Sequence, residues 1–558
     1  MNQQSAAQYI RKSSITSVWQ LSSDLVSGVV AGVFLFNNTE GEADIPFGKM
    51  EFFGASTEFW ALIYCSIVIL NLITKVNSRN AAEKETPENC PRGCKCDEET
   101  LNCTNVGFTK IPRDISPNIS CLILDGNNFR QLGYDSFHHL RQVRNLSMRN
   151  CQISLVDVEV FEPLSKTLRV LWLSNNAFST RELKFILPLR NLESLDLSAT
   201  GRKYTLSNFK TLSKLKYLFL TSNFIKEIPT DKIPASLVFL DLSQNLIKKF
   251  PHNQKYQQDL GLKTLVLSWN AVRTLKNNSL LHFGNLEALD LSHNRLSVVH
   301  PLAFRSSSLQ FINLCKTNFR IDKSNWDVFQ NGPNVKSINM SYCRNEFGNL
   351  ETLPFKNIPT LVELDLSGTG ISSFSHIFAN LSNLTRLHLS GNPISTLKSP
   401  DFEDIEDTLR ELDVSSGRLS TISFESLPLK IWKNLKVVDF SGNPFLCDCN
   451  FIWLRCWLKK ANVSKVEVRG WDKYYCQTSK GQVNMFQLKS PSDVECFQDP
   501  SFVDLCLVVV LLLAWSIAIL ASSISILHRY RWHLRYWYFM KTVSILTCIY
   551  SQADPFDG

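Results

Sequence analysis

The sequence predicts an α/β solenoid: a curved parallel sheet on the concave face, disulfide-stapled caps at both ends, and one C-terminal transmembrane helix. Three observations predict it. The pattern Leu-x-Leu-x-x-Asn recurs every 22 to 26 residues, most clearly at Leu240–Asn245, Leu265–Asn270, Leu289–Asn294 and Leu387–Asn392. Cysteines crowd just before and just after the repeats. A long apolar run comes after the second cysteine group and is itself succeeded by basic residues. Such an architecture presents a surface, which points to binding rather than to chemistry.

The first apolar position of each copy falls at Leu122, Leu146, Leu171, Leu195, Leu218, Leu240, Leu265, Leu289, Ile312, Ile338, Leu364, Leu387, Leu412 and Val438, fourteen copies in all. The interval is that of leucine-rich repeats. In each copy the two apolar residues point inward from a short strand and the residue between them points out. The Asn turns the chain away from the strand, and its side-chain amide bonds backbone that the turn would leave unpaired. A further apolar residue follows two positions later, as at Phe129, Phe178, Ile225, Ile247 and Leu296. One copy cannot bury its apolar side alone, so neighbours stack. At about 4.8 Å per strand the fourteen strands make an arc of roughly 60 Å. Cys151 and Cys343 stand where the Asn belongs, as do Thr200, Thr317, Thr369 and Gly417; the turns at the Thr and Gly positions are expected to bend differently. Phe-x-x-Leu elements such as Phe137–Leu140 and Phe161–Leu164 supply packing on the convex side.

The repeats occupy residues 113–446. The cysteines Cys90, Cys94, Cys96 and Cys103 lie in an N-terminal cap at 89–112, and Cys447, Cys449, Cys456, Cys476 and Cys496 in a C-terminal cap at 447–496. A solenoid exposes its core at both ends, and short disulfide-bonded caps close them. Zinc ligation is the rival reading of such spacings, but an upstream hydrophobic segment sends this region into an oxidising compartment. Cys121, Cys151, Cys315, Cys343 and Cys456 are left over, read as buried thiols, with one intermolecular bridge left open by the odd number. Glycosylation acceptors stand at Asn102, Asn118, Asn145, Asn277, Asn339, Asn380, Asn383 and Asn462, which agrees with a surface protein. Asn339 occupies an outward strand position and would place a glycan on the concave face.

Phe502–Leu527 is apolar apart from Asp504 and is long enough to cross a bilayer. His528, Arg529, Arg531, His533 and Arg535 come directly after it and favour the cytoplasmic side. The repeats therefore lie outside the cell or in an endosomal lumen, and a short tail at 528–558 lies inside, as in a single-pass type I protein of the plasma or endosomal membrane. Phe59–Ile73 has the length of a signal-peptide core, so 50–81 reads as a signal peptide or signal anchor. Residues 1–49 read as an N-terminal extension, disordered or a gene-model artefact.

The stretch at 89–112 resembles the N-terminal cap of extracellular leucine-rich repeat proteins, and 443–458 with Cys476 and Cys496 resembles their C-terminal cap. That resemblance implies the pairs Cys90–Cys96, Cys94–Cys103, Cys447–Cys476 and Cys449–Cys496, with Cys456 unpartnered. A single C-terminal cap, then the apolar run, then YRWHLRYWYFM at 530–540 resembles Toll-like receptors of the single-cysteine-cluster type. The resemblance implies a pattern-recognition receptor that binds a microbial molecule or a protein ligand and pairs with itself or with another leucine-rich repeat receptor. It also implies a cytoplasmic TIR signalling domain, which the residues after Met540 cannot form. As written the chain therefore reads as a truncated, decoy or co-receptor form. The alternative is a cell-surface adhesion or guidance protein.

Neither a catalytic constellation nor a nucleotide-binding or metalloprotease motif is found, so the chain reads as a non-enzyme without cofactor or metal. The net charge of +8 gives no argument for nucleic acid. Asp196, Asp241, Asp290 and Asp365 occupy outward strand positions but are generic to the repeat. The residues that break the pattern are better ligand-face candidates: Trp172, Phe219 and His388 on the strands, with Trp269 and Tyr342 just beyond. Outward-facing aromatics are frequent binding anchors.

Overall fold

The computed structural model describes residues 90–485 and 500–550, except 179–182, 230–232, 252–259, most of 322–333 and 344–357, 374–376, 464–465 and 479–480. The N-terminal extension, the signal segment at 50–81 and Cys496 lie outside the described residues.

Each copy of the repeat forms a strand of three residues centred on its first apolar position, from Cys121–Ile123 to Val437–Asp439. Neighbouring strands pair in parallel with leucine opposite leucine, as at Leu122↔Leu146, Leu240↔Leu265 and Leu364↔Leu387. The caps extend this sheet. Thr100–Asn102 adds a parallel strand at the N-terminal end, backed by the antiparallel Lys95–Cys96, and Glu467–Val468 adds one at the C-terminal end, giving seventeen strands. The inward residues Leu122, Leu171, Leu240, Leu289 and Leu412 are buried, with the second apolar residue of each copy.

The repeat Asn side chains bind successive copies together. Asn270 donates through Nδ2 to the carbonyl of Leu242 in the preceding copy (2.8 Å) and to Leu267 in its own (3.1 Å), while its Oδ1 accepts from Ile247 N–H (2.9 Å). Asn127, Asn176, Asn223, Asn245, Asn294, Asn392 and Asn443 likewise donate to the preceding copy. The cysteine variants keep the donor half of this arrangement: Cys151 Sγ donates to Leu124 O (3.1 Å) and Cys343 Sγ to Leu314 O (3.0 Å). Thr200 and Thr369 find a backbone acceptor in their own copy, at Leu197 O and Leu366 O.

These replacements do not bend the turn, contrary to expectation. The residue before the Asn position is left-handed at Ala199, Lys316, Gly368 and Ser416, just as at Gln244 before a true Asn. The hydrogen-bonded stack of backbone dictates the conformation. At Gly417 a Cβ would stand 2.8 Å from Asn443 Oδ1, so the next copy's Asn fills the space.

On the convex side the phenylalanines stack from copy to copy. Phe137, Phe161 and Phe185 lie 5.5 and 6.0 Å apart between ring centres, and Phe304, Phe329 and Phe355 lie 5.4 and 5.9 Å apart.

Disulfides Cys90–Cys96 and Cys94–Cys103 staple the N-terminal cap, and Cys447–Cys476 the C-terminal cap. Their sulfurs are bonded to one another, which removes the zinc reading for these six. Cys456 is also disulfide-bonded and leaves the set of spare thiols, a correction to its expected lack of a partner. Cys121, Cys151, Cys315 and Cys343 form no disulfide, and the last three are buried. Burial pushes the Cys151 and Cys315 thiols up to about 11, away from the reactive thiolate.

A helix runs from Pro500 to Tyr550 and contains the apolar run. Among the described residues no single helix is long and apolar enough to cross a membrane. Two pieces of this one, Val510–Ile526 and Arg531–Val543, inclined by 55°, meet the length and composition together.

Replacing Asn270 by Ala leaves the buried Ile247 N–H without its acceptor and takes one of two donors from the Leu242 and Leu267 carbonyls, which keep Asn245 and Asn294. An unpaired buried group costs about 1–3 kcal/mol, so thermal or denaturant unfolding should show a loss of at least about 1 kcal/mol. Asn270→Cys should recover part of it, since cysteine keeps the donor in two other copies. Equal losses for both variants would mean that the donor to the preceding copy is not what matters.

Candidate ligand-binding surface

Two rows of side chains run along the concave side. The first is the outward strand position, the second the left-handed turn residue before each Asn.

In the strand row the aspartates are structural. Asp241 Oδ1 accepts from Ser243 N–H, Asp290 from Ser292, Asp365 from Ser367, Asp413 from Ser415 and Asp439 from Ser441, all at 2.8–2.9 Å. Each carboxylate thus closes the turn after its own strand. Asp290, Asp365 and Asp413 are buried. Desolvation raises the carboxyls of Asp241 and Asp365, and that of Asp290 from the ordinary 3.8 to about 6.

Three of the five sequence candidates stand in this row and are covered by neighbouring copies. The Arg149 guanidinium sits 4.2 Å over the Trp172 ring, with its Nε 3.9 Å from Asp196. Phe219 packs on Phe239 from the next strand at 5.1 Å. His388 is paired in register between Asp365 and Asp413, and is half-buried.

Trp269 and Tyr342 belong to the turn row instead and are 50% and 54% exposed. The intervening copies place His293 and Lys316 in the same row. Trp269 and His293 stack at 4.1 Å, and the Lys316 ammonium lies 5.5 Å from the Tyr342 ring centre. All four have φ between 53° and 57°. Such a backbone costs an L-residue about 1–2 kcal/mol. Elsewhere the row uses Gly126, Asn150, Asn175, Gly368, Gly391 and Gly442, and also Ala199, Ser222, Gln244 and Ser416. The backbone conformation is therefore common to the row; what sets the four apart is that two aromatic rings, an imidazole and an ammonium follow one another in it. Tyr342 leans over the next copy, where a Cβ on Gly368 would stand 2.6 Å from its ring. Burial, then Lys316, lowers His293 to about 4, so this row keeps His293 neutral down to mildly acidic pH.

The sequence pattern singles out Trp269 and Tyr342 but not His293 and Lys316. The signal is present, since each immediately precedes the Asn position of its copy, but their adjacency comes only from the stacking.

The acceptors Asn118, Asn277, Asn380 and Asn383 are exposed, and Asn102 and Asn145 are half-buried. The side chain of Asn462 is outside the described set. Asn339, expected to point outward from its strand, is buried, and its Oδ1 accepts from Ser341 N–H (2.9 Å) and Oγ–H (2.7 Å). No exposed acceptor lies in the turn row from Trp269 to Tyr342.

Comparison with known proteins agrees with this geometry. Leucine-rich repeat models match residues 333–394 and 285–307. The chain is similar to Tsukushi of Gallus gallus (31% identity over 221 residues, 38% of this chain and 57% of that one). It is also similar to Toll-like receptor 2 type-2 of Gallus gallus (28% over 342 residues, 60% of this chain and 36% of that one). The chain thus spans less than two thirds of either relative. Among solved structures, a leucine-rich repeat protein of Leptospira interrogans matches 66% of this chain and 94% of its own at 22% identity and a TM-score of 0.50, a likeness of fold.

Asp290 binds its proton more tightly folded than unfolded. The stability that this proton contributes is complete below about 3.8 and is lost as pH rises through about 6. The protein should therefore be more stable at pH 5 than at pH 7.5, and Asp290→Asn should raise the melting temperature at pH 7.5 and flatten the profile. The shift bounds the effect at about 3 kcal/mol. A profile that Asn leaves unchanged would place the titration elsewhere.

Proposed function

Taking this chain as a leucine-rich repeat protein, we propose that it is a cell-surface or endosomal receptor of Toll-like type. It binds an extracellular microbial molecule or protein through its repeats and pairs with a second leucine-rich repeat receptor. The observation that carries the binding site is the turn row Trp269–His293–Lys316–Tyr342: exposed aromatic area, held in an unfavoured backbone conformation and free of exposed glycan acceptors. Large aromatics lose little entropy on binding and dominate interface energetics. Trp172, Phe219 and His388 support the face from beside it rather than anchor a ligand.

The membrane arrangement belongs to the same reading. The piece Val510–Ile526 crosses the bilayer, with residues just before it in the helix completing the span, and the basic residues after it stay on the cytoplasmic side. The acceptors at Asn102, Asn118, Asn145, Asn277, Asn380, Asn383 and Asn462 face the outside and carry glycans there. Cys449 pairs with Cys496 only if Cys456 bonds elsewhere, and peptide mapping of the non-reduced protein separates these possibilities.

The test is binding by cells that display the full chain, screened against microbial lipopeptides, glycans and secreted proteins. For a binder so found, Trp269→Ala and Tyr342→Ala should each weaken binding about thirtyfold, the size of a hot-spot residue, with surface display unchanged. Trp172→Ala should weaken it far less. Full binding by both turn-row variants would remove this row as the site. A binder that proves to be a protein on apposed cells would favour the adhesion reading.

A further inference from the structure

The C-terminal helix does not end with its apolar run but continues into a segment that is both aromatic and basic. We propose that Arg531–Val543 is a membrane-surface helix that docks on the anionic headgroups of the bilayer that the preceding piece crosses. Trp532, Tyr536, Phe539 and Val543 face the acyl boundary, and Arg531, Arg535 and Lys541 meet the headgroups. This rests on the reading of Val510–Ile526 as the span.

Three features carry it. The helix axis turns by 55° between Ile526 and Arg531, so the second piece leaves the direction of the first. The residues 532, 536, 539 and 543 keep the four-three-four spacing of one helix face, while Arg531 and Arg535 line the adjoining side and Lys541 stands beside Trp537. Trp532, Tyr536, Trp537, Tyr538 and Phe539 are 60–70% exposed, a dense aromatic surface of the amphipathic kind that settles at the lipid–water boundary. The cations lie beside the rings, Arg531 5.6 Å from Trp532 and Lys541 4.6 Å from Trp537.

Charge chooses the partner. From Leu505 to Ala553 there is no acidic residue, while Arg529, Arg531, Arg535 and Lys541 are basic. Cations without internal counter-charges are held outside the hydrocarbon, which argues against a second crossing. An exposed aromatic face argues against a tail free in water. Anionic lipid satisfies both, and the basic residues beside a cytoplasmic leaflet are attracted to it.

The experiment is hydrogen exchange on the full chain in nanodiscs of phosphatidylcholine alone and of phosphatidylcholine with phosphatidylserine. Amides of 531–543 should exchange more slowly with phosphatidylserine present, and high salt should reverse the gain. Each of Arg531→Gln, Arg535→Gln and Lys541→Gln should remove about fivefold of that gain, the worth of one basic residue at such a surface. Residues 510–526 should stay protected in every disc. If 510–526 are protected but 531–543 exchange equally in both lipids, the docking is overturned and the span stands. If 510–526 exchange freely, the span falls and the docking with it.

Discussion

Each turn leaves backbone groups that the short strands cannot pair, and a buried unpaired carbonyl is expensive. The Asn side chain resolves this by reaching back to the previous copy, as Asn270 does to Leu242 and Asn294 to Leu267. In the copies that carry it, this one residue ties the turn to the copy before. The rest of the solenoid depends on this: the parallel register, the inward leucines and the phenylalanine stack on the far side all presuppose copies held at a constant offset. Cysteine at 151 and 343 is tolerated because it still donates to the carbonyl that matters.

The same constraint creates the candidate site. The residue before the Asn position is left-handed in every copy, whether or not an Asn follows and whatever its own side chain. Gly and Asn take that conformation easily; Trp269, Lys316 and Tyr342 do not. Their position in the turn also projects them outward at one edge of the concave face, beyond reach of the strand-row partners that cover Trp172 and Phe219. Strain and exposure thus arise together from one backbone requirement.

The strand row behaves in the opposite way. Its aspartates look like a ligand-facing acidic stripe when counted along the sequence, yet each is turned onto a serine N–H two residues later. A short polar side chain beside a turn finds the backbone before it finds a ligand. Asn339 does the same: its side chain is buried and its Oδ1 accepts from Ser341 two residues on.

The sequence by itself determined the solenoid, the position of all fourteen strands and the location of the caps, because those derive from a strict period, from apolar identity and from cysteine spacing, all local properties. It also marked Trp269 and Tyr342 as departures from the pattern. Only the tertiary structure decided which departures are free. Whether Arg149 covers Trp172, whether His293 lies against Trp269, and whether Cys456 finds another sulfur depend on residues one or more copies away, brought together by stacking. A repeat sequence specifies each copy nearly independently; contacts between copies, where surface is either covered or left open, belong to the assembled stack.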